Sequence, residues 1–438
     1  MPLNTLSSRA SRIAVIGAGI TGITSAYALM KRGYDVTIID RHRYAAMETS
    51  FANGGQLSAS NAEVWNRLGT VLKGLRWMLD RNAPLLVNPK PSWHKLSWMA
   101  EFIANIPNYE RNTVETARLA IAARKHLLGM AADEGIAFDR EQRGILHVYK
   151  NEQEFAHAKR VTKLLGQAGL HREPVTPLDI ATLEPALCDD FLGGFFTPSD
   201  FTGDIHKYTV GLAQACERRG ARFLNETDVS QLKHDADGVS IFMETKGEVH
   251  SERFDKVLIC AGVGSRAMAK ALGDRVNVYP VKGYSVTVHL DDHQSRSAAP
   301  TVSILDDEAK IVTSRLGADR FRIAGTAEFN GYNRDIRADR IQPLVRWCEQ
   351  NFPGVSTETV TPWAGLRPMM PNMMPRVGEG RKPGVYYNTG HGHLGWTLSA
   401  ITAEMVAEAM LADHRRAQPK AIKGKRFSPM RVGERAHG

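Results

Sequence analysis

The chain has 438 residues, of which 43% are hydrophobic and 24% charged, the composition of an ordinary globular protein with more than one core. Its formal net charge is +9, but residues 413–438 hold eight Lys or Arg against two acids, so the rest is close to neutral. That distribution predicts a solvated basic tail and no nucleic-acid partner. The four cysteines form no CxxC pair, which favours a reducing compartment and argues against a disulfide framework.

The beginning of the chain lacks the pattern of a secretory signal. No window approaches about 18 uninterrupted apolar residues, so no membrane span is predicted. We therefore expect a cytoplasmic protein.

The first predicted elements surround a glycine-rich turn. The stretch "RIAVIGAGITGITSAYALM" indicates a buried parallel strand, a tight turn and a helix, and "YDVTIID" indicates a second strand. The turn is a GxGxxG, whose glycines allow a sharp bend, the approach of a pyrophosphate and close packing of helix on strand. Asp40 is placed for a ribose hydroxyl, although the adjacent Arg41 leaves a 2′-phosphate open. The dinucleotide contacts predicted here are Gly17, Ala18, Gly19, Ile20, Thr21, Gly22, Asp40 and Arg41.

This unit predicts an adenine dinucleotide without choosing between NAD and FAD. The next segment, "ETSFANGGQLS", combines small residues that leave room for a bulky ring with polar side chains that suit phosphates and ring edges. It favours FAD over NAD. Its predicted contacts are Thr49, Ser50, Asn53, Gly55, Gln56 and Leu57.

Three later segments are predicted to return to the same sheet, where ligands bind at the carboxyl ends of parallel strands. They are a strand that passes near the adenine, the apolar strand "KVLIC" with the turn after it, and the strand, glycine turn and helix of "VYYNTGHGHLGWT". A ligand held by all of them must be long and extended, which suits FAD. The predicted contacts are Val229, Ala261, Gly262, Gly390, Gly392, His393, Leu394, Gly395, Trp396 and Thr397.

The residues between these returns predict a second domain. "VYPVKGYSVTVHL", "KIVTSRL" and "DRFRIAGTAEF" alternate apolar and polar residues like strands of a half-exposed antiparallel sheet, and residues 111–135 and 151–170 predict helices. The fold class is therefore α/β, with a Rossmann-like FAD-binding domain interleaved with an α+β substrate domain. The predicted ranges are 1–60, 200–270 and 362–412 for the FAD-binding domain, 61–199 and 271–361 for the substrate domain, and 413–438 for the tail.

Seven motifs in order, from "VIGAGITGITSAYAL" through "PSDFTGD" and "WAGLRPM" to "NTGHGHLGWT", resemble a family of FAD-dependent enzymes. That family includes bacterial D-amino acid dehydrogenase, in its small, flavin-bearing subunit, together with D-amino acid oxidase, glycine oxidase and sarcosine oxidase. The resemblance covers residues 12–412. It implies a glutathione-reductase-type FAD fold and oxidation of the Cα–N bond of a D-amino acid or a cyclic D-imino acid. It also implies transfer of electrons to a quinone-type acceptor.

The same resemblance implies the site residues. Arg367 matches the arginine that pairs with the substrate carboxylate, a role that suits its planar, two-donor guanidinium. Tyr284 matches a tyrosine that hydrogen-bonds the carboxylate or covers the pocket, with packing in the core as the alternative. His391 is a hydrogen-bonding candidate on the flavin or substrate side. The helix that starts near Gly395 is expected to direct its dipole at the flavin.

Several expectations concern departures from this pattern. His-x-His at 391–393 resembles a metal motif, but no His/Cys cluster completes it, so no metal is predicted. The methionines in "RPMMPNMMP" are expected to reshape the pocket wall or its entrance. One region combines tryptophans with basic residues. It predicts either contact with the cytoplasmic face of the inner membrane or helices that cap the substrate domain. Its residues are Trp65, Trp77, Trp93 and Trp98, and Lys73, Arg76, Arg81, Lys90 and Lys95.

Two alternative functions remain at this point. One is an oxygen-using oxidase of the glycine or sarcosine type, or a dehydrogenase of hydroxy-D-proline. The other is a flavin-binding subunit without turnover, against which the intact Arg367 and the open flavin turn count.

Overall fold

The structure is a computed structural model that describes residues 10–77, 84–188, 190–235 and 237–417. The predicted basic tail beyond residue 417 and Arg81 lie outside the described residues.

The described residues form 20 strands in chain order: β1 (Arg12–Ile16), β2 (Asp35–Ile39), β3 (Gln56–Leu57), β4 (Leu85–Val87), β5 (Ile145–Tyr149), β6 (Glu173–Val175), β7 (Gly193–Thr197), β8 (Phe201–Thr202), β9 (Arg222–Leu224), β10 (Thr227–Asp235), β11 (Gly238–Thr245), β12 (Glu248–Phe254), β13 (Lys256–Ile259), β14 (Tyr279–His289), β15 (Ser303–Asp306), β16 (Ile311–Leu316), β17 (Arg320–Phe329), β18 (Val360–Met369), β19 (Arg376–Glu379) and β20 (Val385–Thr389).

The helices in the same part of the chain are α1 (Ile20–Met30), α2 (Leu68–Trp77), α3 (Trp93–Ala104), α4 (Tyr109–Glu134), α5 (Glu152–Gln167), α6 (Pro177–Leu183), α7 (Ile205–Arg218), α8 (Ser265–Ala271), α9 (His293–Ala298), α10 (Ala338–Asn351) and α11 (Gly395–Ala417). Short 3-10 turns lie at Ile106–Asn108, Gly262–Gly264 and Gly392–Leu394.

A six-stranded sheet carries the predicted dinucleotide turn. Its order is β19-β20-β13-β1-β2-β9, and every pairing is parallel except that between β19 and β20. One face packs on α1, α7 and α11, and the other packs on α8 and on the antiparallel sheet β10-β11-β12. Because both faces are buried, β1 and β13 are continuous apolar runs, as parallel strands in α/β proteins are.

The second large sheet is mixed and has nine strands. Its order is β18-β14-β17-β16-β15-β5-β7-β6, with β4 pairing with β17. The prediction of a half-exposed sheet is wrong for β14, in which ten consecutive residues are buried. The cause is that α10 covers one face, where Val286 packs with Leu344, while Trp98 of α3 covers part of the other through Val281.

The predicted domain boundary at residue 362 falls inside β18. This strand pairs with β14 over ten residue pairs, from Tyr279 opposite Met369 to Val288 opposite Val360, so it belongs to the nine-stranded sheet. The chain enters the last two strands of the six-stranded sheet only after β18. The consequence is that Arg367 stands on the substrate-domain sheet, at its junction with the other sheet.

Candidate active site

The glycine turn after β1 is shaped for close approach of backbone and ligand. Gly17 has φ of +107°, and a Cβ there would lie 2.6 Å from the carbonyl oxygen of Cys260. A Cβ on Gly22 would lie 1.8 Å from the carbonyl oxygen of Gly17. Because α1 begins at Ile20, its unpaired N–H groups and its positive dipole end lie at this turn. The turn therefore has the form of a phosphate-binding helix N-terminus.

Asp40 follows β2 beside this turn. Its Oδ2 accepts a hydrogen bond from the Ala18 N–H at 2.6 Å. The neighbouring Arg41 pairs with Glu48, which also accepts from Arg334 at 2.6 Å. Burial favours the protonated form of Glu48, but these cations outweigh it and lower the pKa of Glu48 to about 2. Arg41 is thus engaged by a carboxylate, which disfavours its use for a 2′-phosphate.

A second glycine turn follows β20. Gly390 and Gly392 have φ of +78° and +60°, and a Cβ on either would lie within 3 Å of a methionine side chain. The turn leads directly into α11, which begins at Gly395. A second helix N-terminus is therefore brought to the same region as the first.

The loop between β2 and β3 connects these two turns. Its Ser50 Oγ accepts from the N–H of Ile20 at 3.0 Å, at the start of α1. Directly after β3, the Ser58 N–H donates to Thr397 Oγ1 at 3.3 Å, in the first turn of α11. The loop and the short strand after it are thus tied to both helix N-termini.

These segments line one cavity of about 700 Å³. Most of the predicted contacts line it: Gly17, Gly19, Ile20, Thr21, Asp40, Arg41, Thr49, Ser50, Asn53, Gly55, Gln56, Val229, Ala261, Gly262, Gly390, Gly392, His393, Leu394, Gly395, Trp396 and Thr397. Arg367, Tyr284 and His391 line it as well.

Ala18, Gly22 and Leu57 do not line the cavity. Gly22 packs on the backbone of the first turn, and Leu57 is 3% exposed and pairs with Phe201 between β3 and β8. The structure therefore places these three residues behind the residues that line the cavity. Two glycine cradles that a Cβ would fill, and two helix N-termini, fit a ligand as long and as anionic as FAD.

Arg367 is seated at the junction of β14, β17 and β18. A Cβ on Gly283 would lie 2.3 Å from the Arg367 Cζ, so glycine is required beneath the guanidinium. The Nη1 donates to the Thr326 carbonyl at 2.9 Å. Thr326 has φ of +58°, an unusual conformation for a β-branched residue, at a register shift between β14 and β17.

The Arg367 guanidinium is a partly buried cation that lines the cavity. In the described part of the chain, no carboxylate lies within the 4.0 Å ion-pair distance of it. Burial lowers the pKa of Arg367 to about 10, so the group stays charged at neutral pH. An unpaired, partly buried cation is costly unless a ligand supplies the anion.

Tyr284 occupies a different position from the one expected of a free phenol. Its hydroxyl donates to Glu328 Oε2 at 2.6 Å, and Lys282 Nζ lies 3.3 Å from the same oxygen. Burial, followed by the Glu328 charge, raises the pKa of Tyr284. The hydroxyl is therefore already hydrogen-bonded to Glu328. The ring packs in the core of the nine-stranded sheet and also lines the cavity.

The two histidines of the second turn are neutral. Burial lowers the pKa of His391 to about 3, and its Nε2 lies 3.0 Å from Thr402 Oγ1. Burial also lowers the pKa of His393 to about 4, assisted by the Arg367 charge. The His393 Nε2–H donates to the Asn61 carbonyl at 3.2 Å, and the ring stacks on Trp65 with centroids 4.9 Å apart. His393 and Trp65 therefore form one wall of the cavity.

The expectation for the methionine-rich stretch is wrong. Met373 is 7% exposed and packs with Trp98 and Phe102, and residues 369–374 do not line the cavity. Met370 lies instead against Gly390, behind the second glycine turn. The cause is that β18 ends at Met369, so the chain turns away from the cavity there.

The tryptophan region divides into buried and exposed parts. Trp98 is 3% exposed and donates its Nε1–H to the Met369 carbonyl at 2.8 Å, and the Lys95 Nζ is held by two backbone carbonyls. These two residues therefore cannot belong to a basic aromatic surface. Trp93, in contrast, is 79% exposed. The side chains of Trp77 and Arg76 are outside the described part.

The described residues show neither a metal-binding cluster nor a membrane-spanning helix. They contain no group of three or more His, Cys, Asp or Glu placed to hold a metal ion. None of their helices has the length and apolar character needed to cross a bilayer.

Some cavity residues that contact the predicted site residues were not themselves predicted from the sequence. Gly283 and Thr326 seat Arg367, and Trp65 stacks on His393. The glycine within "VKGYS" was the available signal, because an isolated glycine inside a strand marks a close approach of another group. Neither the turned Thr326 nor the Trp65 stack leaves a pattern in the sequence, since both depend on contacts between distant segments.

The fold and the cavity define an FAD-binding α/β protein with a cationic site beside the flavin region. The family model described as "FAD dependent oxidoreductase" matches residues 12–409. The chain is 61% identical over 402 residues to D-amino acid dehydrogenase 3 of Mesorhizobium japonicum, covering 92% of this chain and 97% of that one. It is 40% identical over 408 residues to D-amino acid dehydrogenase of Paramagnetospirillum magneticum, covering 91% and 94%.

Solved structures with the same fold are more distant in sequence. Glycine oxidase from Geobacillus kaustophilus has a TM-score of 0.71 at 20% identity, covering 92% of this chain and 95% of that one. L-proline dehydrogenase from P. horikoshii also has a TM-score of 0.71, at 16% identity, covering 92% and 94%. The chain belongs to the family of FAD-dependent oxidoreductases, and its cofactor is FAD. The predicted family, fold class and cofactor are thereby confirmed.

Proposed function

We propose that this chain is a D-amino acid dehydrogenase that oxidises the Cα–N bond of a D-amino acid or a cyclic D-imino acid. Names of relatives at 61% and 40% identity support the D-amino acid class and the dehydrogenase reaction. The product is a 2-oxo acid and ammonia after hydrolysis, or a cyclic imine.

The observation that carries the proposal is the unpaired guanidinium of Arg367. A partly buried planar cation that lines the cavity is matched by a carboxylate, the group that all amino and imino acid substrates share. Gly283 and Thr326 fix its position from below, so a substrate carboxylate placed on it acquires a defined orientation.

FAD, when bound, would supply the two-electron acceptor for oxidation of the substrate Cα–N bond. The residues of the chain bind and orient the substrate around it. Arg367 holds the carboxylate, and the wall of Trp65 and His393 bounds the cavity beside it. The N-terminus of α11 lines the cavity, so its partial positive charge would favour a group that gains negative charge there. Because His391 and His393 are neutral, neither adds a cation beside the substrate amine.

The proposal includes a quinone-type acceptor reached from the cytoplasmic face of the inner membrane. Its support is an exposed apolar face on α2 and α3, made by Leu68, Leu72, Trp93, Leu96 and Ile103, which are between 51% and 79% exposed. Thr70 and Lys73 of α2 line the cavity, so the helix that carries the exposed Leu68 and Leu72 also borders the site. Such a surface suits the boundary of headgroups and acyl chains, where an apolar quinone resides.

The test of the substrate class is anaerobic bleaching of the holoenzyme flavin, followed near about 450 nm. A panel of D-amino acids, D-proline and hydroxy-D-proline should bleach it, whereas the L-enantiomers and glycine should not. Bleaching by glycine or sarcosine alone would replace the proposal with the oxidase alternative. A flavin that no member of the panel bleaches would support a subunit without turnover.

The acceptor is tested by comparing reoxidation by oxygen with that by a quinone analogue. Reoxidation should be faster with the quinone. Sedimentation with phosphatidylethanolamine/phosphatidylglycerol vesicles tests the surface: Trp93→Ser should reduce binding several-fold. The matched control is Leu178→Ser, which removes another exposed apolar side chain, on α6. Equal binding by both variants would refute the membrane surface without affecting the substrate class.

A further inference from the structure

The loop at residues 52–55 turns all its carbonyl groups toward donors of other segments. The Ala52 carbonyl accepts from Ser285 Oγ at 2.8 Å, and that of Asn53 accepts from Arg322 Nη1 at 3.1 Å. The Gly54 carbonyl accepts from Ser314 Oγ at 2.7 Å. The Gly55 carbonyl is also satisfied, by the N–H of Gly203 at 3.0 Å.

The three side-chain donors belong to one sheet and are buried. Ser285 stands on β14, Ser314 on β16 and Arg322 on β17, with exposures of 1%, 0% and 6%. The loop is pressed on this sheet, because a Cβ on Gly54 would lie 2.6 Å from Val312 Cγ2. The substrate-domain sheet therefore fixes the orientation of the cofactor loop.

Three N–H groups of this loop differ from its carbonyls because they lack an acceptor among the described residues. Among the described residues, the N–H groups of Ala52, Asn53 and Gly54 have no recorded acceptor, and all three residues line the cavity. Backbone N–H groups almost always find a partner, so a row of free ones beside a cavity points to a ligand. The N–H groups of Asn53 and Gly54 share their peptide units with the Ala52 and Asn53 carbonyls, which Ser285 and Arg322 hold, so these two dipoles cannot rotate away.

We propose that Ser285 and Arg322 are positioning residues that set the electron affinity of the bound flavin. They hold the 52–54 loop so that its N–H groups donate to the ring system and stabilise the charge it gains on reduction. Fixed dipoles in a dry site require no reorganisation when that charge appears. The substrate-domain sheet thus controls the redox behaviour of the cofactor as well as the substrate carboxylate.

The inference concerns the cofactor, so it does not depend on the role of Arg367 or on the identity of the substrate. It is tested on the holoenzyme without substrate, by measuring the reduction potential of the flavin in an anaerobic dye-equilibrated titration. The second measurement is the dissociation constant of sulfite, an anion that binds electron-poor oxidised flavins. The variants are Ser285→Ala and Arg322→Met, measured with excess FAD.

Each variant should disfavour flavin reduction about tenfold, which for a two-electron couple is a fall of about 30 mV. Sulfite should bind each variant several-fold more weakly, and the double variant more weakly still. The matched control is Ser295→Ala, which removes an equally buried serine hydroxyl bonded to Asp292 at 2.5 Å, remote from the cavity. It should lower thermal stability without changing the potential.

Two outcomes would overturn the inference. One is a potential and a sulfite affinity within twofold of the parent in both variants, which would make these residues structural supports only. The other is failure to hold FAD at saturating concentration, because the two side chains would then form the pocket instead of tuning it. A chain that lacks D-amino acid activity yet shows the predicted shift would refute the proposed function while supporting this inference.

Discussion

Two regions of the cavity are built on opposite principles. The turn of Gly17 and Gly22 is assembled from one stretch of chain, with its strand, bend and helix start in sequence order. The seat of Arg367 combines Gly283 and Thr326, which lie on two other strands. A ligand that needs backbone contacts can be bound by a local motif. A substrate that needs one oriented cation requires the register of a sheet.

This difference indicates which property a substitution in each region will alter. A local turn fails by steric conflict within itself, and the loss should appear in cofactor binding. A seat built from three strands fails by displacement of one side chain, and the loss should appear in substrate binding with the cofactor retained. The following substitutions test that separation.

The largest effect is expected for Gly22→Ala. Its new Cβ would lie 1.8 Å from the Gly17 carbonyl oxygen, so helix and strand must separate and the phosphate-binding turn is lost. The purified variant should contain less than about a tenth of the parent FAD per chain, measured by its absorbance ratio. Gly129→Ala, in α4 with open space around it, is the control and should retain full flavin. Full occupancy in Gly22→Ala would contradict the steric argument.

Arg367→Ala should follow, with the opposite distribution of effects. Removing one partner of a buried charge pair costs about 2–5 kcal/mol, so kcat/KM should fall about 30-fold to several thousand-fold. Most of the change should be in KM, and FAD should remain bound. Arg367→Lys should recover part of the loss, because it restores the charge without the two-donor geometry. Normal turnover in Arg367→Ala would refute the assignment.

A smaller effect is expected for Gly283→Ala, which sharpens the comparison because it acts only through Arg367. The added Cβ would lie 2.3 Å from the Arg367 Cζ and must displace the guanidinium. KM should rise about 10-fold, equivalent to about 1.4 kcal/mol. In the Arg367→Ala background the same substitution should add little, since coupled residues are not additive. Full additivity would show that Gly283 acts independently of the arginine.

The smallest effect is expected for the contribution of His391 to the pH dependence of the free energy of unfolding. Its folded pKa of about 3 lies below the usual unfolded value of about 6.5, so the unfolded chain binds the proton first. The stabilisation is present above about pH 6.5 and is lost at about 1.4 kcal/mol per pH unit as the pH falls toward the folded pKa. Urea unfolding at pH 7, 6 and 5 should show a shallower dependence in His391→Gln. Identical slopes would indicate that His391 does not titrate in this window.

The sequence predicted the parts of the site that are local. The strand, turn and helix around Gly17, the second turn at Gly390 and the cofactor class follow from motifs whose residues adjoin. The buried faces of β14 were not predictable from its alternation, because α10 and α3 cover it from distant positions. The position of the methionine-rich stretch and the commitment of Tyr284 to Glu328 likewise depend on packing between elements.

The order of strands in the six-stranded sheet has a consequence for synthesis of the protein. Its central strands β1 and β13 come from residues 12–16 and 256–259, and β20 comes from residues 385–389. The helix beginning at Gly395 then completes the cavity. A nascent chain therefore lacks a finished cofactor site until nearly all of it has left the ribosome. Such long-range pairing is slow and exposes apolar strand edges meanwhile. FAD capture is thus a late event that stabilises only chains in which α11 has been synthesised.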